Sequence, residues 1–195
     1  IALLIAVSLS FVVSAFSTPV IIKIVKSKGA GQFIRDDGPI VHPHILKAGT
    51  PTMGGIVIIL AVALGYFVSH FRLGFVFGRS ALLVLGVFIA MAGVGLIDDY
   101  LSIIKKRNMG LRKREKIIGQ VIIASIFSYL AINWVNVSTE LSFARPVTHG
   151  LPKWLFLIIC IVIVIGAANA VNITDGLDGL ASGSSTLVFS AYAII

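Results

Sequence analysis

Five stretches of nearly unbroken apolar residues alternate with short polar segments: Ile1 to Ile22, Pro51 to Val68, Ser80 to Ile97, Ile117 to Val135 and Trp154 to Val171. A sixth begins near Gly179 and runs to Ile195. Each full run has about the 20 residues that a helix needs to cross roughly 30 Å of hydrocarbon. The pattern predicts an all-α, polytopic membrane helix bundle with five full spans and the start of a sixth. The Ile1 run lacks a basic n-region and a small-residue cleavage site, so it reads as a spanning helix rather than a signal peptide. Because the first residue is Ile and the last run is cut at Ile195, the chain is expected to be a piece of a longer one. The segment from Lys23 to Thr50, with Gly29, Gly31, Gly38, Pro39 and Pro43, is too polar to span. No repeat or low-complexity tract interrupts the chain. It reads as one transmembrane domain, 1–195, whose loops 23–50, 98–116 and 172–179 share one side.

Composition agrees with the pattern. With 57% hydrophobic residues, 12% charged residues and a mean hydropathy of +1.03, the chain is far more apolar than a soluble domain. Charge then orients it. Segments 23–50 and 98–116 hold Lys23, Lys26, Lys28, Arg35, Lys47, Lys105, Lys106, Arg107, Arg112, Lys113, Arg114 and Lys116, which is twelve of the sixteen basic residues. The other side has Arg72, Arg79, Arg145 and Lys153. Lys and Arg in short loops stay in the cytoplasm, so loops 23–50, 98–116 and 172–179 are expected there and the N-terminus outside. The net charge of +8 then faces anionic headgroups or a polyanionic substrate. Nucleic acid is a poor partner for basic residues confined to juxtamembrane loops with little aromatic interleaving. Cys160, alone in an apolar run, reads as a small buried hydrophobe.

The candidate chemistry lies in the acids. Of eight, four sit where apolar runs end on the basic side: Asp98, Asp99, Asp175 and Asp178. Carboxylates at that depth are expensive and mark ion, phosphate or proton chemistry. Asp98 and Asp99 are expected to end the third span, where they oppose the negative end of the helix dipole, at a cost of about 0.3–1 kcal/mol each, and need a compensating partner. Neighbours on a helix point about 100 degrees apart, so the two are expected to play different parts, one toward a metal or reacting group and the other toward a cation such as Lys105 or Lys106. A solvated pair neutralised by the basic loop is the structural alternative.

Asn172, Asp175 and Asp178 are spaced by three, along one side of a helix or, given Gly176 and Gly179, in a tight loop or broken helix. Such oxygens suit Mg²⁺, which takes one or two carboxylates plus waters and phosphates, or hydrogen bonding to a ribose or base. Asp178 alone is also explained as an N-cap of the sixth span. The second span opens with KAGTPTMGG, residues 47–55, in which Thr50 is a good N-cap and Pro51 suits the first helical position. Backbone N–H groups at such an end attract phosphate, Lys47 adds a mobile charge, and Gly54–Gly55 permits close approach of a helix or ligand.

Three runs carry a resemblance that covers about Lys23 to Ser184: KAGTPTMGG, GLIDDYLSIIKKRNMGLRKREKIIGQ and NAVNITDGLDGLASG. In this order they resemble the signatures of the polyprenyl-phosphate N-acetylhexosamine-1-phosphate transferases, and most closely their muramoyl branch. The resemblance implies a ten-helix membrane fold of which this chain is the first half, with a cytoplasmic cleft in the bacterial inner membrane. It implies Mg²⁺-dependent transfer of phospho-MurNAc-pentapeptide from UDP-MurNAc-pentapeptide to undecaprenyl phosphate, giving lipid I and UMP in peptidoglycan synthesis. By motif, Asp98 is implied as the base that deprotonates the lipid phosphate and Asp99 as its partner in acceptor binding or metal support. Lys47, Thr52, Lys106, Asn172, Asp175 and Asp178 are implied in binding the sugar nucleotide, and Asp98, Asp99 and Asp175 as metal candidates. A further family Asp and a His-rich motif are absent from residues 1–195, so the fragment alone is expected to be inactive. Membrane lipid is a partner, and a homodimer is one option for assembly.

Two alternatives stand beside this reading. A sister transferase would move N-acetylglucosamine-1-phosphate, although PTMGG and Thr174 resemble the muramoyl branch better. An ion-coupled transporter would place carboxylates near the midplane, whereas these acids fall at span ends.

Overall fold

The structure is a computed structural model that describes residues 1–27, 53–73, 76–105, 110–140, 150–175 and 179–194. Lys47, Thr50, Pro51, Thr52, Lys106 and Asp178 lie outside the described residues, and with them the expected caps of the second and sixth spans. Among the described residues six helices follow one another: α1 Ala2–Ser27, α2 Gly55–Leu73, α3 Arg79–Ile104, α4 Lys113–Asn133, α5 Lys153–Thr174 and α6 Leu180–Ile194. Among the described residues there is no strand. The all-α membrane bundle read from the apolar runs is therefore the observed architecture. Four helices, α1, α3, α4 and α5, are long and apolar enough to cross a membrane, while α2 and α6 are shorter. Helix α2 departs from expectation because it starts at Gly55 instead of Pro51, after Met53 in a left-handed backbone conformation, φ 67°.

Helix ends also run past the apolar stretches. Helix α1 continues to Ser27, so Lys23 and Lys26 are helical. Helix α3 continues to Ile104, which leaves Asp98 and Asp99 well inside it. The polar connection after it is thus shorter than residues 98–116.

The chain divides into two compact units, Ile1–Ile123 and Ala124–Ile195, with the division falling inside α4. In the first unit α2 buries one narrow stripe, Val57, Ala61, Gly65 and Ser69, at a spacing of four residues. Spacing of four keeps residues on one helix face, and small side chains let backbones come close where lipid gives no hydrophobic drive to associate. Helix α1 occupies that closeness. The Ser10 hydroxyl donates to the Ala61 carbonyl at 3.0 Å, and a Cβ placed on Gly65 would stand 2.7 Å from the Ala6 carbonyl oxygen and overlap the Ser10 hydroxyl. Near the other end of α2, Tyr66, Phe67, His70 and Phe71 gather around Phe77, with the His70 and Phe77 rings 5.1 Å apart and nearly parallel. Large apolar side chains such as Phe11, Phe16 and Ile58 point outward, as lipid-facing surfaces do.

In the second unit α5 has no fully buried residue, and Cys160, expected as buried, is only partly covered. An apolar thiol in a span can face lipid without cost, so burial in protein is not required of it. Helix α5 stops at Thr174 with Asp175 as its C-cap, and α6 starts after Gly179, φ 82°. Asn172 to Asp175 thus close α5 and Gly179 precedes α6, while the form of the chain at residues 176–178 lies outside the described residues.

Candidate functional site

Asp98 and Asp99 end the apolar run but not the helix. Both are half-buried, and each faces a different element. The Leu111 N–H donates to Asp98 Oδ1 at 2.8 Å, and the Lys116 ammonium donates to Asp98 Oδ2 at 3.1 Å. The Met53 N–H donates to Asp99 Oδ2 at 3.0 Å. Asp98 thus ties α3 to the start of α4, while Asp99 ties it to the start of α2. The 100-degree turn between neighbours produces this split, as the sequence reading requires.

Two details correct that reading. The dipole argument fails for these acids, because five residues of helix follow Asp99 and the terminal carbonyls lie beyond them. Among the described residues the cation beside Asp98 is Lys116; Lys105 instead forms the exposed C-cap of α3, its N–H bonded to the Leu101 carbonyl at 3.0 Å, and Lys106 lies outside the described residues.

Lys116 is placed by the way α4 begins. The Arg112 N–H donates to Glu115 Oε2 at 2.8 Å, half of a reciprocal cap, and the Lys116 N–H bonds to the Arg112 carbonyl at 3.1 Å. A carboxylate in the first turn also suits the positive end of the helix dipole. The helix start is fixed, and the ammonium of its first turn reaches back to α3. Hydrogen bonds to charged groups contribute about 1.5–3 kcal/mol each, so this node is firmly held. Sequence reasoning missed the Met53 N–H, the Leu111 N–H and Lys116. Backbone donors leave no residue signature, and Lys116 is one of seven basic residues in its segment.

The second acidic cluster is simpler. Asn172 stands in the last turn of α5 and is exposed; Asp175 is the C-cap, also exposed, with its N–H bonded to the Val171 carbonyl at 3.1 Å. Gly54 and Gly55, expected to admit a close neighbour, have open space where a Cβ would stand among the described residues.

Among the described residues no three His, Cys, Asp or Glu side chains gather to hold a metal. The donor chemistry of Asp98 and Asp99 still fits Mg²⁺, which needs only one or two carboxylates beside waters and phosphates. A carboxylate oxygen has two lone pairs, so Asp98 Oδ1, Asp98 Oδ2 and Asp99 Oδ2 can each accept a further partner beside the donor that holds it, and Asp99 Oδ1 adds a fourth acceptor.

The family model of glycosyl transferase family 4 matches residues 81–195, more than half of the chain. The chain belongs to that family. A second model, phospho-N-acetylmuramoyl-pentapeptide-transferase signature 1, matches residues 47–59. The two matches meet at the node just described, since Met53 lies in the signature and Asp99 in the family-4 region. Relatives include proteins named phospho-N-acetylmuramoyl-pentapeptide-transferase. One from Streptomyces avermitilis is 45% identical over 184 residues, 91% of this chain and 51% of the relative. One from Frankia casuarinae is 44% identical over 198 residues, 98% of this chain and 55% of the relative. One from Mycobacterium tuberculosis H37Ra is 42% identical over 205 residues, 99% and 56%. This family-4 chain therefore spans about half the length of the curated relatives it matches.

Proposed function

We propose that the full-length protein transfers phospho-MurNAc-pentapeptide from UDP-MurNAc-pentapeptide to undecaprenyl phosphate, forming lipid I and UMP at the cytoplasmic face of the bacterial inner membrane. The observation that carries this is the Asp98–Asp99 node, where two carboxylates at a span boundary are tied to the signature segment on one side and to a basic helix start on the other.

An oxygen of the lipid phosphate attacks the phosphorus attached to the sugar, and the bond from that phosphorus to the UMP oxygen breaks. Asp98 takes the proton of the lipid phosphate. Asp99 holds the start of α2 and supports the acceptor or metal. Lys47, Thr52, Lys106, Asn172, Asp175 and Asp178 bind the sugar nucleotide. Asp98, Asp99 or Asp175 would hold Mg²⁺, which would supply charge neutralisation at the phosphates. Phosphoryl transfer depends mainly on positioning and charge stabilisation, so carboxylates held in place by main-chain donors suit it.

One assay tests substrate and orientation together. Inside-out vesicles containing the full-length protein should make lipid I from added UDP-MurNAc-pentapeptide, whereas right-side-out vesicles should not, and UDP-N-acetylglucosamine should serve in neither. Equal use of UDP-N-acetylglucosamine would favour the sister transferase, and activity in right-side-out vesicles would reverse the orientation.

A further inference from the structure

Gly110 precedes the residue whose N–H holds Asp98, and it is buried against the same aspartate. A Cβ placed on Gly110 would overlap the Asp98 carbonyl oxygen and stand 2.7 Å from the carbonyl carbon and 2.9 Å from Oδ1. Two of these contacts are backbone atoms of a helix and cannot rotate away. The φ of Gly110 lies outside the left-handed range, so space rather than backbone conformation makes glycine necessary at this position. The glycines of α3 upstream, Gly86, Gly93 and Gly95, have open space where a Cβ would stand. The open space at these three glycines contrasts with the tight fit beside Asp98.

We propose that Gly110 is a positioning residue for Asp98: by lacking a side chain it lets the chain press against α3, so that the Leu111 N–H and the Lys116 ammonium fix the two carboxylate oxygens. A methyl group would push residues 110–111 outward and stretch the 2.8 Å bond from Leu111 beyond hydrogen-bonding range. The carboxylate would then turn away from the acceptor phosphate. Misplacement by about 1 Å can cost about 10² in rate, with substrate binding elsewhere untouched.

This inference rests on the transferase reading, and the experiment separates the two. In the full-length enzyme, Gly110→Ala should lower kcat by about 10- to 100-fold and leave KM for UDP-MurNAc-pentapeptide within about twofold. Gly93→Ala, with room for its methyl, should match the wild type. Combined with Asp98→Asn, Gly110→Ala should cost nothing further, because both act through one carboxylate. A wild-type protein that makes no lipid I defeats the transferase reading itself. An active wild type with an equally active Gly110→Ala, or a variant changed only in KM, overturns the role of Gly110. If Gly110→Ala does not accumulate as folded protein, wild type and Asp98→Ala are compared by amide hydrogen exchange at residues 110–112. Loss of protection in Asp98→Ala supports the contact, and unchanged protection overturns it.

Discussion

Asp98 and Asp175 both close an apolar run, yet their surroundings have little in common. Asp98 is half-buried inside a continuing helix, with an N–H from one segment and an ammonium from the next helix on its two oxygens. Asp175 is exposed at the end of α5, and among the described residues only its main chain is tied down. The unfavourable dipole position that the sequence suggested for Asp98 is in fact that of Asp175. A carboxylate immobilised by cross-ties suits a step in which geometry decides the rate. A free one at the negative end of a helix still needs a partner, and in the proposed reaction the sugar nucleotide with its metal is that partner.

The largest effect should come from breaking the held member of this comparison. Asp98→Asn keeps size but removes charge and the proton acceptor, so kcat of the full-length enzyme should fall by about 10² to 10⁴ with KM for the sugar nucleotide nearly unchanged. If nucleotide binding weakens while kcat survives, Asp98 belongs with the binding residues. A smaller effect is expected from the free member: Asp175→Asn and Lys47→Ala should each raise that KM by about tenfold, equivalent to about 1.4 kcal/mol, and leave kcat within a few-fold. A kcat loss as deep as that of Asp98→Asn would erase the distinction between the two clusters. The smallest change concerns the tie to α2. Met53→Gly keeps the main-chain donor to Asp99 while relieving a left-handed conformation that costs about 1–2 kcal/mol in a residue with a Cβ. Part of that gain is lost to the freer unfolded chain, so the melting point in detergent should rise by the equivalent of about 1 kcal/mol or less. A fall would show that the Met53 side chain is itself needed.

The spans were legible because hydrophobic length is a property of the chain alone. Four of the five full spans are helices of crossing length, and the fifth, α2, is lacking only at its first turn. The ends of α2 and α3 were misread because partners distant in sequence decide them. Helix α3 can continue through two carboxylates since donors from Met53, Leu111 and Lys116 meet them there. Asp98 and Asp99 could be found from their expense in an apolar setting, and their divergence from helix geometry. The requirement for glycine at 110 could not, because a glycine in a polar connection looks like any turn residue until the opposing helix is in place.

The aromatic group of Tyr66, Phe67, His70, Phe71 and Phe77 has a consequence for the far end of α3. Arg79 follows this group at the start of α3, and a long basic side chain near the end of a spanning helix reaches to the headgroup level of a bilayer. From Arg79, two residues after Phe77, Asp98 lies 19 residue steps further along the helix, or about 28 Å of rise, close to the roughly 30 Å of hydrocarbon. Helix α3 is a ruler with its zero mark at one headgroup layer and its carboxylates at the other. In a thinner bilayer the acids stand out into water, and in a thicker one they are drawn beneath the headgroups. Membrane thickness thereby sets how far the two carboxylates reach into water.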